Sequence, residues 1–201
     1  KGIAGVRNIM IYYCIVYFIA AILSFIFIPD SKKSEEKQVD NKEVSTLQGI
    51  LYVSKIPSVW LIGLTIFCVY TVSGAGLAKL TPYFTNILGI NETFVGSLMS
   101  IRMYMIGFAA AAAGGLIADK MHSASKFLIG AYVGLIFSML ALVLIPGSAA
   151  TAAGVVVVSF IASVFVYSMR GTYLAPMGQA RIPNVYIGTA AGLISFIGYL
   201  P

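Results

Sequence analysis

Residues 57–85 read PSVWLIGLTIFCVYTVSGAGLAKLTPYFT, and Lys79 is the one charged residue in this stretch. A helix needs about 20 apolar residues to cross the hydrocarbon core of a bilayer, so this stretch is long enough to span a membrane. Similar apolar runs lie at 8–28, 93–118, 126–145, 151–177 and 185–201. Because a bilayer offers no partners to exposed backbone groups, the runs predict helices. The expected fold class is therefore an all-α integral membrane protein with about six transmembrane helices.

The composition supports the same class. Of the 201 residues, 59% are apolar and 10% are charged, whereas a soluble domain has about 25% charged residues. Half of the 20 charged residues lie between Asp30 and Lys55, which marks one polar interruption. The net charge of +6 comes from cations beside apolar runs, so we interpret them as topology signals and expect no nucleic-acid partner.

The lysine and arginine residues of the connections predict the orientation of the spans. The polar stretch 29–56 holds five lysines, so we expect it to be cytoplasmic. The connections 119–126 and 178–184 then fall on the same side and also carry Lys or Arg. The connections 86–92 and 146–150 fall outside and carry neither. Each of these later loops agrees with the assignment.

A short helix is predicted inside the polar stretch. Asp40 and Glu43 have the spacing of a capping box, and Leu47, Ile50 and Leu51 follow at helical spacing. This pattern favours an amphipathic helix on the inner membrane surface.

The first residue is not methionine and the last apolar run stops at residue 201, so we expect a piece of a longer protein, truncated at both ends.

Residues for catalysis or metal binding are scarce. Cys14 and Cys68 each lie inside an apolar run, and His122 is the single histidine. One histidine cannot build a zinc site or a Ser/His/Asp site. No paired carboxylates lie within a span, so we expect neither an enzyme nor a bound cofactor or metal.

One motif at the end of a span resembles a known family. The stretch GLIADK, from Gly115 to Lys120, resembles the Gly-x-x-x-Asp-Arg/Lys signature of the major facilitator superfamily. In that family the signature lies between the second and third helices of each six-helix half, and here it lies between the second and third spans after the polar stretch. His122 stands where a second glycine is usual. The stretch 170–201 is loosely similar to bacterial nitrate/nitrite or sugar-phosphate permeases.

The resemblance implies an organisation for the chain. It matches helices six to eleven of a twelve-helix transporter. Residues 1–28 would be the last helix of the N-terminal half, 29–56 the cytoplasmic central linker, and 57–201 an incomplete C-terminal half. Gly115, Asp119 and Lys120 would form a gating motif that latches helices at the cytoplasmic side in one conformational state.

Three cations within the spans are candidate binding residues. Arg102 and Arg170 lie inside apolar runs, and Lys79 is a further candidate that could also reach the outer interface. A charge at the bilayer centre costs at least about 2.5 kcal/mol, so it normally faces a cavity or a partner. No acidic residue lies within a span, which leaves an anionic substrate or the other half as the partner.

Polar and small side chains accompany these cations. Tyr70, Ser73 and Tyr167 are expected to line the same substrate site, and Tyr167 shares a helix face with Arg170 because they are three residues apart. The succession Gly74-Ala75-Gly76, followed by Pro82, predicts a weak point at which the first span after the linker could bend.

The function expected from these features is secondary active transport of a small solute by alternating access. We expect the solute to be an organic or inorganic anion. The partners of this chain would be a small-molecule substrate, membrane lipid and the N-terminal half of the same protein, and its location the inner (plasma) membrane. A membrane-embedded enzyme would need catalytic residues that the spans lack. A non-transporting sensor or scaffold of the same fold is the alternative.

Overall fold

The computed structural model describes residues 2–27, 46–180 and 182–201. Its regular secondary structure over these ranges is helical, without strands. The chain divides into two compact units, Lys1–Glu43 and Val44–Pro201. The first unit contains helix α1 (Gly2–Phe27), whose apolar side chains are exposed over Ile11–Leu23.

The second unit contains seven described helices, four of them long. The long helices are apolar enough to cross a membrane, while the apolar part Ile11–Leu23 of α1 and the helix Ile187–Gly198 are shorter. The prediction of an all-α membrane fold is confirmed. The helices of the second unit are α2 (Thr46–Ser54), α3 (Pro57–Asn86), α4 (Glu92–Lys120), α5 (Ala124–Leu144), α6 (Ala152–Thr172), α7 (Pro176–Gln179) and α8 (Ile187–Gly198).

Local signals explain where the helices begin. Pro57 occupies the first turn of α3, where its missing N–H costs nothing. The Asn91 side chain accepts a 2.9 Å hydrogen bond from the Thr93 N–H at the start of α4, and the Ser123 side chain caps α5. Helix α2 lies in the segment for which the sequence predicts a short helix; Asp40 and Glu43 fall outside the described residues.

The span predicted over 151–177 is broken in the structure. Helix α6 ends at Thr172, and α7 begins at Pro176. Pro176 has no N–H to donate to the Thr172 carbonyl, which instead accepts a hydrogen bond from the Ala175 N–H three residues on. The prediction of one continuous helix over 151–177 is therefore wrong, because Pro176 removes the hydrogen bond that would continue α6.

Helix α6 packs closely against α4 and α5. A Cβ atom added to Gly114 of α4 would lie 2.6 Å from the Ser168 carbonyl oxygen, and one added to Gly171 of α6 would lie 2.6 Å from the Ala111 carbonyl oxygen. Such contacts are too short for any side chain, so both glycines permit the backbones to meet. Close approach at small residues is the usual way in which membrane helices associate.

Helices α3 and α8 form the other close pair. Gly198 faces the Ile66 side chain, which would lie 2.5 Å from an added Cβ. The outward surfaces of α4 and α5 are apolar, with Phe108 80% exposed and Val143 81% exposed. Large exposed apolar side chains suit contact with lipid rather than water.

Two of the long helices contain wider, irregular turns. Residues Val72–Gly76 of α3 form a π-helical segment, followed by a tighter 3₁₀ turn over Leu77–Lys79. Residues Ile101–Ile106 of α4 form a second π-helical segment. The first irregularity coincides with the weak point predicted from Gly74-Ala75-Gly76. Segments of this kind often occur at functional sites.

Candidate functional site

Arg170 lies in the last turn of α6 and contacts two tyrosines. Its Nη2 donates a 3.0 Å hydrogen bond to the Tyr70 hydroxyl of α3. The guanidinium carbon is 4.5 Å from the centroid of the Tyr70 ring and 5.7 Å from that of the Tyr167 ring. Both distances fall within the range of cation–π attraction. The structure thus brings together three of the residues that the sequence predicts for the site.

Two more tyrosines extend this contact. The hydroxyls of Tyr173 and Tyr199 are 2.5 Å apart, and the Tyr199 ring meets the Tyr70 ring edge to face with centroids 4.6 Å apart. We call Tyr70, Tyr167, Arg170, Tyr173 and Tyr199 the tyrosine–arginine cluster. It joins α3, the break after α6 and the end of α8.

The folding of α6 explains the position of Arg170. Because Tyr167 and Arg170 are three residues apart on one helix, their side chains share a face. The helix ends at Thr172, so Arg170 lies in its last turn, where the helix dipole favours a positive charge. Gly171 brings this end of α6 against α4.

Two tyrosines of the cluster lie far from the starts of their helices. Tyr70 is thirteen residues beyond Pro57, the start of α3, which corresponds to about 20 Å of helix. Tyr199 is twelve residues beyond Ile187, the start of α8, or about 18 Å. If both helices start at the cytoplasmic surface, as the charge pattern predicts, these depths are near the middle of a bilayer core about 30 Å thick.

The charge of Arg170 has no carboxylate nearby in sequence or in the described structure. Over residues 46–201 the acidic residues are Glu92 and Asp119, one at the start and one at the end of α4. The described contacts of Arg170 are with tyrosines alone. A guanidinium has five N–H donors, so donors remain for a further acceptor such as an anion.

Arg102 makes its described hydrogen bond outside the cluster. Its side chain is 8% exposed, and its Nη1 donates a 3.3 Å hydrogen bond to the Leu77 carbonyl oxygen of α3. Ser73 is half-buried within the π-helical segment of α3, and Lys79 is exposed. The described contacts of Arg170 include neither Ser73 nor Lys79, so the roles predicted for these residues stay predictions.

The predicted gating motif lies at the connection between α4 and α5. Asp119 and Lys120 are exposed at the end of α4, and Gly115 lies one turn earlier. The turn closes with a hydrogen bond from the His122 N–H to the Asp119 carbonyl, 3.0 Å long. His122 has φ +50°, the left-handed conformation that a glycine adopts most easily. The turn thus forms despite the absence of glycine at this position.

A polar cavity adjoins this turn. It has a volume of about 570 Å³, and its lining residues include Asp119, His122, Thr172 and Gln179. Ser125 of α5 donates a 2.8 Å hydrogen bond to Gln179 of α7. Over the described ranges, no group of three His, Cys, Asp or Glu side chains is close enough to hold a metal ion.

Two residues of the tyrosine–arginine cluster differ in how visible they are in the sequence. Tyr173 flanks Arg170 in the sequence, so its proximity could be anticipated. Tyr199 is 26 residues beyond Tyr173, in another helix, and no spacing rule connects them. The packing of α8 on α3 alone brings Tyr199 to the cluster.

Comparisons with known proteins identify the family. Residues 2–201 match the Major Facilitator Superfamily. The inner membrane protein YihN of Escherichia coli (strain K12) is 26% identical over all of this chain and 48% of its own length. The inner membrane protein YqcE of the same strain is 30% identical over 98% of this chain and 47% of its own length.

The chain spans about half the length of these curated relatives. No solved structure matches it. The family match nevertheless covers nearly every residue, including the motif at 115–120 and the three helices that carry the cluster. The chain belongs to the major facilitator superfamily.

Proposed function

We propose that this chain contains most of the C-terminal half of a secondary active transporter that carries a small anionic solute across the inner membrane by alternating access. The observation that carries the proposal is the guanidinium of Arg170 in a bundle of apolar helices, where its partners among the described residues are tyrosines. Such a charge is costly in a membrane unless a partner or a water-filled cavity compensates for it. An anionic substrate is the partner that transport would supply.

The cluster has the chemistry that recognition of an anion requires. A guanidinium binds carboxylate, phosphate or sulfonate oxygens through two parallel hydrogen bonds. The tyrosine rings form stiff walls, and their hydroxyls can donate to further substrate oxygens. Tyr70 already orients the guanidinium through one N–H, so fewer degrees of freedom need to be fixed when substrate binds.

The rest of the transporter follows from the organisation proposed for the chain. Residues 1–28 would be the last helix of the N-terminal half and 29–56 the cytoplasmic linker between halves. Rocking of the two halves would expose the cluster to each side in turn. Gly115, Asp119 and Lys120 would latch the cytoplasmic side closed. The location rests on the two relatives, both named inner membrane proteins.

The proposal is tested in the whole protein with Arg170→Met and Arg170→Lys. A panel of carboxylates, phosphates, sulfonates and inorganic anions is first screened for ligands that raise the melting temperature, because specific binding stabilises the folded state. We expect the Met variant to lose both the stabilisation and uptake into proteoliposomes. The Lys variant should bind more weakly than wild type, since an ammonium cannot make the bidentate contact.

Lys55→Met is the matched control, because it removes one exposed cation outside the cluster. Stabilisation and uptake by Arg170→Met at wild-type levels would contradict the proposal. Stabilisation by an anion without uptake or exchange in the wild-type protein would instead indicate the sensor of the same fold.

A further inference from the structure

The side chain of Arg102 connects the two irregular segments of the bundle. It projects from the π-helical segment of α4 (Ile101–Ile106), and its Nη1 reaches the Leu77 carbonyl oxygen of α3 at 3.3 Å. Leu77 directly follows the π-helical segment Val72–Gly76. One charge-assisted hydrogen bond therefore joins the irregular segments of the two helices.

The Leu77 peptide group marks the change from a wide to a tight turn. Its N–H donates five residues back, to the Val72 carbonyl, while its carbonyl accepts from the Leu80 N–H three residues on. A regular α-helix would instead have hydrogen bonds four residues apart on both sides. The carbonyl that Arg102 binds is thus the point at which the hydrogen-bond pattern of α3 changes.

Arg102 occupies this position at a cost. Its side chain is 8% exposed, and its buried Nε has no hydrogen-bond partner in the described part of the chain. An unpartnered buried donor destabilises a fold. Leu77 itself is 3% exposed and packs in an apolar cluster with α5 and α6. The arrangement therefore does not serve to maximise the stability of the bundle.

From these contacts we infer that Arg102 is a positioning residue for transport: it holds the irregular segment Val72–Lys79 of α3 in one geometry and does not bind the substrate. This segment begins two residues after Tyr70, which binds Arg170. Rotation or straightening of α3 there would move the residues that follow Lys79 relative to Tyr70. The Arg102–Leu77 hydrogen bond opposes that movement until it is released.

This role differs measurably from that of a substrate ligand. Substitution of a positioning residue changes the irregular segment of α3 in the absence of substrate, whereas substitution of a substrate ligand changes only substrate binding. The readout is hydrogen–deuterium exchange of the amides of 77–81, followed by mass spectrometry of the whole protein in lipid nanodiscs without substrate. Because no substrate is added, the outcome does not depend on the function proposed above.

We expect Arg102→Met to accelerate exchange in 77–81 by about ten-fold or more, which is the size expected for the loss of one charge-assisted hydrogen bond. Arg102→Lys retains a charged donor of nearly equal reach and should restore part of the protection. Lys55→Met is the control for loss of one cation and should leave exchange in 77–81 unchanged. Uptake should show a changed maximal rate with a KM within about two-fold of wild type.

Two results would overturn the inference. One is unchanged exchange in 77–81 with Arg102→Met, together with weaker substrate binding, which would make Arg102 a substrate ligand. The other is an equal acceleration throughout α3 to α6, which would show a general loss of stability. If Arg102→Met does not fold, Arg102→Lys decides. Exchange in 77–81 and a maximal rate identical to wild type, together with a raised KM, would contradict the role.

Discussion

The Nη2 atom of Arg170 lies 3.0 Å from the hydroxyl oxygen of Tyr70, although the two residues are 100 positions apart in the chain. The hydrogen bond joins the last turn of α6 to the middle of α3. The same guanidinium also lies 4.5 Å from the centroid of the Tyr70 ring. Hydroxyl and ring therefore orient Arg170 by separate interactions, which substitutions can distinguish.

Tyr70→Phe removes the hydroxyl and leaves the ring. We expect anion binding to weaken by about three- to ten-fold, since a hydrogen bond to a charged group is lost in a half-buried setting. Tyr70→Ala should weaken it further, because the cation–π contact is lost as well. Affinity is measured by the stabilisation of the whole protein against anion concentration. Tyr104→Phe, at a residue 65% exposed, is the control; wild-type affinity in Tyr70→Phe would show that the hydroxyl is not needed.

The hydroxyls of Tyr173 and Tyr199 should be energetically coupled, because each is the other's partner. Tyr173→Phe and Tyr199→Phe should each lower the free energy of unfolding, and the double variant should cost less than the sum. We expect a coupling energy of about 0.5–1.5 kcal/mol. Thermal unfolding of the four proteins gives this value. Strictly additive effects would mean that the two hydroxyls do not interact in the membrane.

Close backbone contact between α4 and α6 predicts that Gly114 and Gly171 resist substitution. Gly114→Ala and Gly171→Ala should each destabilise the protein by about 1–3 kcal/mol, because the new Cβ would overlap a carbonyl oxygen of the other helix. Gly130→Ala on α5 is the control, since its Cβ would meet nothing within 4 Å. A melting temperature for Gly114→Ala equal to that of Gly130→Ala would contradict the predicted contact.

The turn after α4 predicts opposite effects for two replacements of His122. With φ at +50°, His122→Gly should leave stability unchanged or raise it by up to about 1 kcal/mol, because glycine adopts this conformation without steric strain. His122→Val should lower stability, since β-branched residues tolerate a positive φ poorly. Melting temperatures of the two variants make the comparison. If His122→Val were more stable than His122→Gly, the turn would have another conformation.

The membrane fold was predictable because it depends on properties of single segments. The length of the apolar run 57–85 and the lysines around 29–56 each report on one stretch of chain. The exception was the helix over 151–177, where we expected continuity. Pro176 was visible in the sequence, but a proline in a membrane helix can produce a kink or a break, and only neighbouring contacts decide which.

The candidate site was predictable in part. Arg170, Tyr70 and Tyr167 could be selected singly as polar side chains in apolar surroundings, and the structure places them in contact. Arg102 had the same sequence signal as Arg170, yet it contacts a backbone carbonyl instead of the cluster. Arg102 lies in the π-helical segment of α4, and such segments leave no reliable pattern in the sequence.

The sequence by itself determined that this chain lies in a membrane and where five of its six spans begin, to within two residues. It also showed which residues carry a charge that is costly in a membrane. Transfer of an apolar segment from water to lipid depends on that segment alone, so composition and length suffice. Tertiary structure decided which cation meets which partner. That choice depends on helix rotation and on close approach at Gly114 and Gly171, both of which arise only when the helices pack together.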